Sequence, residues 1–401
     1  MSNVVRVALP EYDAFTETNI DNFSLYSDVD NILIKRFEKG TGSVAGGGSP
    51  NTNTISHDLG YIPFFMVYAD IFNNDKYYII NNHYGLFEVP PFICASTTSD
   101  LLIKNFQADS VNYGYDIFYD DMDTTGTPSI TDSNSVFKVL RPNKDSTSRN
   151  PNDYIMHSDL NNFKILKHGT SSTTILGWPA INSISHGASI DSPYKYFLFI
   201  KFADGKTALV GGTSSIIPYS GSTSQVGCYA DDTKIYITTD SNLSVDVSYF
   251  VYGAGKNSTV TNSNNIIACA ESGKNVLTAT NPDDFNFHSD YPTLKYFKSG
   301  LYTMTVSDTT THTIAHNLGY TPFFIGFVND FEGSFFASES YTILPYWLSR
   351  SFVFSPDNDI AAFIYADSTN IYLKAYYQTN AVGTSKTFKF QYKIFKNNLG
   401  I

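Results

Sequence analysis

The chain has 401 residues, of which 16% are charged and 15% aromatic, and its formal net charge is −12. This length exceeds one ordinary core and indicates two to four domains. The acidic balance disfavours contact with phosphate backbones and anionic bilayers, so we expect neither nucleic-acid binding nor membrane insertion.

The N-terminal residues lack the long apolar segment of a secretory signal, and no apolar run reaches the length of a membrane-spanning helix. We therefore expect the protein to be made and assembled in a cytoplasm. The three cysteines, Cys94, Cys228 and Cys269, are odd in number and widely spaced, so we expect buried thiols and no metal site or disulfide framework.

The first repeated signature begins at Asn19, where the chain reads NIDNFSLYSD. It recurs as NPNDYIMHSD from Asn150 and NPDDFNFHSD from Asn281, 131 residues apart each time. An apolar-basic segment follows each copy, and we predict a strand that stops at a glycine. These glycines are Gly40, Gly169 and Gly300.

A second signature recurs in register: ISHDLGYIPFF from Ile55, the degraded ISHGASIDSPYKYF from Ile184, and IAHNLGYTPFF from Ile314. Its shared positions are His57, His186 and His316, followed by Pro63, Pro193 and Pro322. A third signature reads CASTTSDLLIK from Cys94, CYADDTKIYIT from Cys228 and IYADSTNIYLK from Ile364. The chain is a tandem triplication.

Each copy alternates short aromatic and β-branched runs with turn residues, which indicates an all-β fold. We predict three tandem β-sandwich domains of about 130 residues each, at 1–131, 132–262 and 263–401. Core strands are expected at Phe64–Tyr68, Tyr196–Phe202 and Phe323–Val328, and a tight hairpin at Asp204-Gly205. Closing hairpins are expected to pair Asp232–Ile237 with Val245–Val251, and Asn370–Ala375 with Thr387–Ile394.

The repeated histidines are the most prominent candidate site. In a functional interpretation they are acid–base groups or metal ligands. In a structural interpretation their rings form hydrogen bonds with the backbone of the turn before the Phe-rich strand, and the repeated prolines set the entry into that strand. Recurrence favours the structural interpretation, because a fold requirement must be met in every copy whereas a catalytic centre is needed once.

Other chemical motifs are missing from the sequence. The paired carboxylates do not form a calcium loop, there is no Gly-x-Ser-x-Gly elbow, and no Lys-Ser/Thr pair follows Gly46–Gly48. We therefore expect no enzyme activity and no cofactor.

Aromatic residues in loop-like contexts offer candidate ligand contacts, since their faces stack on sugars and anchor protein interfaces. The strongest candidates are Tyr341, Tyr346 and Trp347, within the aromatic insert Phe335–Phe352 of copy 3. The alternative is that they pack within and between domains.

The order of these motifs resembles a family of structural proteins of tailed bacteriophages. The matching residues are Pro10, Tyr12, Asp13, Thr16 and Thr18, then Asp290 and Pro292–Lys295, then Thr313–Pro322. Glu11 stands where the family commonly has glycine, and copy 2 has lost the Leu-Gly-Tyr sequence.

The resemblance implies a virion component that works by presenting surfaces. The first expectation is a tail-associated or fibre-like appendage that contacts host-surface glycans, with copy 1 docked on the particle and copy 3 at the tip. The second is a capsid-surface decoration or head-fibre protein, and the third, less favoured, is an enzyme such as a depolymerase. Expected partners are other virion proteins and further copies of the chain, since such appendages are commonly symmetric multimers.

Overall fold

The computed structural model describes residues 5–9, 11–19, 22–27, 34–47, 50–80, 92–119, 137–141, 147, 153–177, 180–188, 191–211, 215–219, 222–239, 241–253, 267–271, 273–329, 340–349, 358–379 and 384–401. These residues form thirty β-strands and one 3₁₀ turn at Pro282–Asp284. The prediction of an all-β fold is therefore confirmed.

The three copies follow the same order of described strands, except that β12 and β17 are added in copy 2 and β27 in copy 3. In copy 1 the strands are β1 (Arg6–Ala8), β2 (Phe23–Tyr26), β3 (Lys35–Val44), β4 (Asn51–Ser56), β5 (Phe64–Asp70), β6 (Tyr78–Ile79), β7 (Phe92–Ser96), β8 (Asp100–Asn105) and β9 (Val111–Tyr119). In copy 2 they are β10 (Lys138–Leu140), β11 (Tyr154–His157), β12 (Asn161–Asn162), β13 (Ile165–Ile175), β14 (Asn182–Ser185), β15 (Lys195–Lys201), β16 (Thr207–Val210), β17 (Ser215–Tyr219), β18 (Ser222–Ala230), β19 (Lys234–Thr239) and β20 (Leu243–Tyr252). In copy 3 they are β21 (Ala268–Ala270), β22 (Phe285–His288), β23 (Tyr296–Val306), β24 (Thr309–Ala315), β25 (Pro322–Asn329), β26 (Tyr341–Ile343), β27 (Tyr346–Ser349), β28 (Asn358–Ala366), β29 (Asn370–Thr379) and β30 (Lys386–Asn398).

The large sheets are shared between copies. Four strands of copy 2 continue into three strands of copy 3, in the order β13-β20-β15-β16-β28-β29-β24. Four strands of copy 3 continue in the same way into copy 1, in the order β23-β30-β25-β26-β7-β8-β4. The equivalent strands of copy 1, β3-β9-β5-β6, meet β18-β19-β14 of copy 2 edge to edge, where β6 contacts β18.

The three junctions between copies are equivalent and close a ring. Each is an antiparallel pairing between one copy and the third signature of the next: Tyr77 with Ala230, Thr207 with Ala366, and Tyr341 with Ser96. Copy 1 is thus joined to copy 2, copy 2 to copy 3, and copy 3 to copy 1. We call this cyclic arrangement the pseudo-threefold ring.

One hydrophobic core runs through all three copies. At its centre the ring of Phe197 lies 4.9 Å from that of Phe323 and 6.4 Å from that of Phe64, so aromatic rings from each copy meet. The prediction of three separate sandwiches in tandem needs correction, because the copies share both sheets and core. The proposed boundaries at 131/132 and 262/263 fall outside the described residues.

The predicted core strands are present. Every residue of β5 and of β25 is buried, which means that both faces of these strands are covered. The hairpin at Asp204-Gly205 joins β15 to β16, and Gly205 has the positive φ, 83°, that the turn requires.

The predicted closing hairpins are wrong. Strand β19 pairs with β14 and β18, whereas β20 pairs with β13 and β15 in another sheet. In copy 3, β29 and β30 are separated in the same way. Consecutive strands here cross between sheets instead of pairing, which local sequence does not reveal.

The strands expected to stop at the repeated glycines run through them. Gly40, Gly169 and Gly300 lie inside β3, β13 and β23, opposite Tyr115, Tyr249 and Tyr392. A Cβ atom at any of the three glycines would lie 2.5–2.6 Å from the nearest atom of that tyrosine. Each glycine therefore leaves room for the side chain of a cross-strand tyrosine and does not end its strand.

A second, small core lies in three two-stranded hairpins, β1-β2, β10-β11 and β21-β22, one from each copy. We call the described residues within 5–27, 137–158 and 267–289 the hairpin cap. Leu25, Met156 and Phe287 occupy equivalent positions in the three hairpins and contact one another in this core. The cap therefore follows the same pseudo-threefold arrangement as the body.

Candidate functional site

The repeated histidines make the same backbone contact in every copy. Nδ1 of His57, His186 and His316 accepts a hydrogen bond from the backbone N–H two residues later, at 3.2 Å each time. Nε2 of His316 lies 3.1 Å from the carbonyl oxygen of Asp367, in the third signature. Each ring thus ties its own turn, and in copy 3 it also ties that turn to the neighbouring hairpin.

Burial lowers the pKa of all three imidazoles below the ordinary value. Since Nδ1 accepts a hydrogen bond, the neutral ring carries its proton on Nε2. The three rings lie in three separate turns and are not brought together. Among the described residues, no group of three or more His, Cys, Asp and Glu side chains is arranged to hold a metal ion.

The repeated prolines are not fully equivalent. Pro63 directly precedes β5 and Pro322 is the first residue of β25, and Gly60 and Gly319 of the same turns have φ of 76° and 80°. Pro193 lies one residue further from its strand, because Lys195 occupies the strand position of Phe64. Copy 2 has two extra residues here, one between His186 and Pro193 and one, Tyr194, between Pro193 and that strand position.

The candidate ligand contacts of copy 3 lie at strand positions. Tyr341 is half-buried and its backbone forms the junction with Ser96 of copy 1. The backbone of Tyr346 and Trp347 pairs with β28, while their side chains are outside the described residues, as is most of the insert Phe335–Phe352. The described atoms therefore do not assemble these three residues into one site.

Carboxylates of the third signature bind their own turn. Asp231 Oδ1 accepts from the backbone N–H groups of Thr233 and Lys234, and its Oδ2 accepts from the hydroxyl of Tyr236 at 2.6 Å. Asp367 repeats these contacts in copy 3. Burial acts to raise the pKa of both carboxyls, but these hydrogen bonds outweigh it and keep the pKa below the ordinary value.

A repeated lysine fastens the bodies of copies 1 and 2 to the hairpin of the next copy, and the sequence analysis did not recognise it. Lys35 Nζ donates to the carbonyl oxygen of Tyr154 at 2.7 Å, and Lys164 Nζ donates to that of Phe285 at 2.6 Å. Lys295, also buried, is the equivalent residue of copy 3. The available signal was a lysine five residues before each repeated glycine, within an apolar segment.

Lys35 and Lys164 are removed from solvent. Burial lowers the pKa of Lys35 to about 7, with a smaller effect of Arg141 in the same direction. Burial also lowers the pKa of Lys164 to about 7, and Arg36 adds to that effect. Since a charged ammonium is costly to bury, the carbonyl contacts are what hold the lysines in place.

A buried ionic group joins all three copies. Asp116 of copy 1 lies 3.1 Å from Arg36 Nε and 2.7 Å from Nζ of Lys195 in copy 2. Asp283 of copy 3 lies 2.9 Å from Lys39 Nζ and 3.6 Å from the Arg36 guanidinium. Burial acts to raise the pKa of Asp283, but these cations and Lys164 together hold it below the ordinary value.

These charged groups pair with one another inside the protein. Each charge of the ionic group has an opposite charge within reach, and the carboxylates accept from cations of other copies. A buried pair of this kind adds little net stability, but an arrangement that separates its partners leaves an uncompensated buried charge and is disfavoured. They fix how the three copies fit together.

The hairpin cap carries most of the exposed apolar surface. Six of the ten large apolar side chains that are exposed in the described residues belong to it: Val5, Tyr12, Phe15, Phe137, Ile267 and Leu277. Val5, Phe137 and Ile267 are equivalent, because their backbone N–H groups donate to the hydroxyls of Ser27, Ser158 and Ser289, at 2.7, 3.1 and 3.2 Å. We call these three residues the apolar triad.

None of the described residues belongs to a helix with the length and apolar character needed to cross a bilayer. No family model, no curated protein and no solved structure matches the chain.

Proposed function

We propose that the chain is a structural component of a bacteriophage particle, most simply a tail-associated or fibre-like appendage that contacts the host surface. The observation that carries the proposal is the pseudo-threefold ring, in which copies 1 and 3 contain motifs that resemble a phage structural family. In this proposal the protein acts by presenting surfaces and not by catalysis.

The ring supports a passive, rigid role. Sheet edges readily pair with other chains, and each copy here offers one edge to the next, so the junction edges are satisfied within a single chain. Symmetric multimers are common among particle components, and triplication supplies threefold symmetry without separate subunits. The expectation that several such chains associate stays a prediction.

A capsid-surface or head-fibre position is the second candidate, and the same symmetry favours it. Icosahedral shells present local threefold axes, on which a pseudo-threefold block can sit with each copy over one subunit. An appendage at the tail places its symmetry on the tail axis instead. The two candidates therefore differ in location and not in fold.

The test is a comparison of particles made with and without the gene for this chain. We expect the protein in purified wild-type particles by mass spectrometry, and density for the ring on the tail in cryo-EM difference maps. Density on the head would select the second candidate. Absence of the protein from purified particles would refute both candidates.

Host contact is tested on the same particles. We expect particles that lack the protein to adsorb to cells more slowly while still packaging DNA. Unchanged adsorption by such particles would leave a structural role and remove the host-contact part of the proposal.

A further inference from the structure

The hairpin cap contacts the body at three equivalent places, and two of them lie almost entirely in the described part of the chain. The first lies between the hairpin of copy 3 and the body of copy 1, and the second between the hairpin of copy 1 and the body of copy 2. The two hairpins share one register, since the backbone N–H of Glu271 donates to the carbonyl oxygen of Asp284 and that of Leu9 to the carbonyl oxygen of Asn22, both at 2.8 Å. The two places can therefore be compared position by position.

Charged and amide side chains fill the first of these places. Nδ2 of Asn161 donates to Oε1 of Glu271 at 2.5 Å, and Nζ of Lys274 lies 2.7 Å from a carboxylate oxygen of Asp284. The buried ionic group lies beside them and joins the same hairpin to the same body. The space between this hairpin and the body is thus taken up by paired side chains.

The second place is open. Leu9 and Pro292 stand at the positions of Glu271 and Asn161, so the hydrogen bond that closes the first place cannot form. A cavity of about 320 Å³ lies there instead, and the ten residues that line it come from all three copies and all belong to the described part of the chain. This volume is at the small end of the range of ligand-binding pockets.

Aromatic rings form one wall of the cavity. The ion pair of Asp116 and Lys195 at the first place is replaced at the second by Phe250 and Phe323, whose ring centroids lie 5.3 Å apart. The exposed ring of His168 stacks on that of Phe250, with centroids 6.0 Å apart and an angle of 23° between the planes. The cavity therefore offers an aromatic face that is supported by the core.

Two polar side chains that line the cavity have no hydrogen-bond or ion-pair partner among the described residues. They are the half-buried carboxylate of Asp290 and the hydroxyl of the exposed Tyr12. Their backbones are held in place, because the N–H of Asp290 donates to Nδ1 of His288 at 3.3 Å and that of Tyr12 to the carbonyl oxygen of Leu9 at 3.2 Å. Both side chains can bond a ligand without losing an internal contact.

This lining favours an uncharged ligand that carries hydroxyl groups. Sugar hydroxyls can donate to Asp290 and accept from Tyr12, and the C–H face of a pyranose ring packs on aromatic rings. The amide side chains of Asn22 and Asn398 add further groups that suit neutral polar partners. An anionic ligand would be repelled by Asp290, and a single carboxylate is too few for a metal ion.

We infer that this cavity binds one pyranose ring of a neutral saccharide, with the sugar hydroxyls on Asp290 and Tyr12 and the C–H face against His168 and Phe250. The inference deepens the host-contact part of the proposed function, and it rests on that function for the source of the saccharide, a glycan of the host surface. The cavity draws residues from all three copies and none from the aromatic insert Phe335–Phe352.

The first test measures binding by the full, isolated chain. Saturation-transfer NMR is recorded with the methyl glycosides of glucose, galactose, mannose and N-acetylglucosamine. We expect transfer to at least one of these sugars, with millimolar affinity. The variant Asp290→Asn with Tyr12→Phe should weaken that binding at least about tenfold, since it removes the charge and one hydroxyl, and should keep the wild-type melting temperature.

The matched control makes the same two replacements outside the cavity, as Asp308→Asn with Tyr302→Phe. Asp308 is exposed, and Tyr302 stacks on His312. We expect this variant to bind the sugar like the wild type. An equal loss of binding in both double variants would show that the loss does not report on the cavity, and it would overturn the inference.

The second test closes the cavity with the residues of the first place. The variant Leu9→Glu with Pro292→Asn introduces the pair that Glu271 and Asn161 form there. We expect sugar binding to be lost while far-UV circular dichroism shows a folded chain. Full binding by the folded variant would place the sugar elsewhere and overturn the inference. If this variant does not fold, the replacements of Asp290 and Tyr12 decide alone.

Two further outcomes would overturn the inference. No saturation transfer to any of these sugars would do so and leave the proposed function standing, because membership of the particle needs no sugar. Transfer to tetramethylammonium but to no sugar would assign the cavity to an organic cation. Absence of the protein from purified particles is a different failure, because it removes the proposed function and leaves the binding measured in solution unchanged.

Discussion

His57, His186 and His316 show what a single residue contributes in each copy. The ring accepts a backbone hydrogen bond through Nδ1, and burial lowers its pKa below the ordinary 6.5. When the pH falls below about 6.5, the unfolded chain takes up protons that the folded rings do not accept. Protons then favour the unfolded state, so the free energy of unfolding decreases as the pH is lowered.

We predict that the urea midpoint of the protein decreases between pH 6.5 and pH 5, and that His57→Asn with His316→Asn reduces this decrease. Asparagine can accept the same backbone hydrogen bond two residues later but does not titrate. Equilibrium unfolding in urea, followed by far-UV circular dichroism at each pH, measures the effect.

The control is His312→Asn, whose ring stacks on Tyr302 with centroids 3.5 Å apart and does not bond the turn. This variant should keep the wild-type dependence on pH. An equally steep decrease in the double variant would show that the turn histidines do not produce the acid sensitivity.

At the scale of strands, a glycine and a tyrosine on the neighbouring strand pack against each other. Gly169 in β13 faces Tyr249 in β20, and the same pair recurs in the other two copies. A glycine has no side chain to cover its backbone and therefore has a weak strand propensity. The ring of a cross-strand tyrosine covers that backbone and compensates for the missing side chain.

We predict that Gly169→Ala destabilises the protein by about 1–3 kcal/mol, because the new Cβ would lie 2.6 Å from the Tyr249 hydroxyl. Tyr249→Ala should also destabilise the protein. The double variant should lose less free energy of unfolding than the sum of the losses of the two single variants. A double-mutant cycle measured in urea tests this coupling.

Ser171→Ala, on the same strand, is the control and should change the free energy of unfolding by no more than about 0.5 kcal/mol. Additive losses in the cycle would mean that the glycine is not there to receive the tyrosine ring.

At the scale of the whole molecule, the ring makes the three copies interdependent. Each copy completes a sheet of another, and Lys35 and Lys164 tie bodies to neighbouring hairpins. The buried ionic group around Asp116 and Asp283 draws side chains from all three. A copy removed from this arrangement would expose sheet edges and aromatic core to water.

We predict that the chain unfolds in one cooperative transition and not in three. The transition measured by far-UV circular dichroism in urea should coincide with that measured by tyrosine fluorescence. Separate transitions, or a stable fragment after limited proteolysis between copies, would contradict the shared core.

The expectation of a docking copy and a distal tip stays a prediction, and the shared ring changes how it can be tested. Removing residues 263–401 would take away β26 and β28, which pair with β7 of copy 1 and with β16 of copy 2. Such a truncation disrupts the whole ring, so it does not separate particle docking from host contact. Point variants on the surface are the appropriate tools.

The sequence by itself determined the strands, the triplication and the turn chemistry. Phe64–Tyr68 is recognisable as a core strand from its run of apolar residues, and Asp204-Gly205 as a hairpin from the φ that glycine permits. These features depend on neighbours along the chain, which is why pattern and spacing were sufficient to find them.

Only the tertiary structure decided how the copies combine. The strand at Lys234–Thr239 was expected to pair with the next one, and Gly169 was expected to end its strand, because both assignments used local signals alone. A strand edge can pair with a strand of its own copy or with a strand of the next copy. Which of the two occurs depends on contacts between residues that are far apart in the sequence, such as Tyr341 and Ser96. Similar repeats satisfy either arrangement locally, whereas the core shared by the three copies is formed only in the arrangement observed.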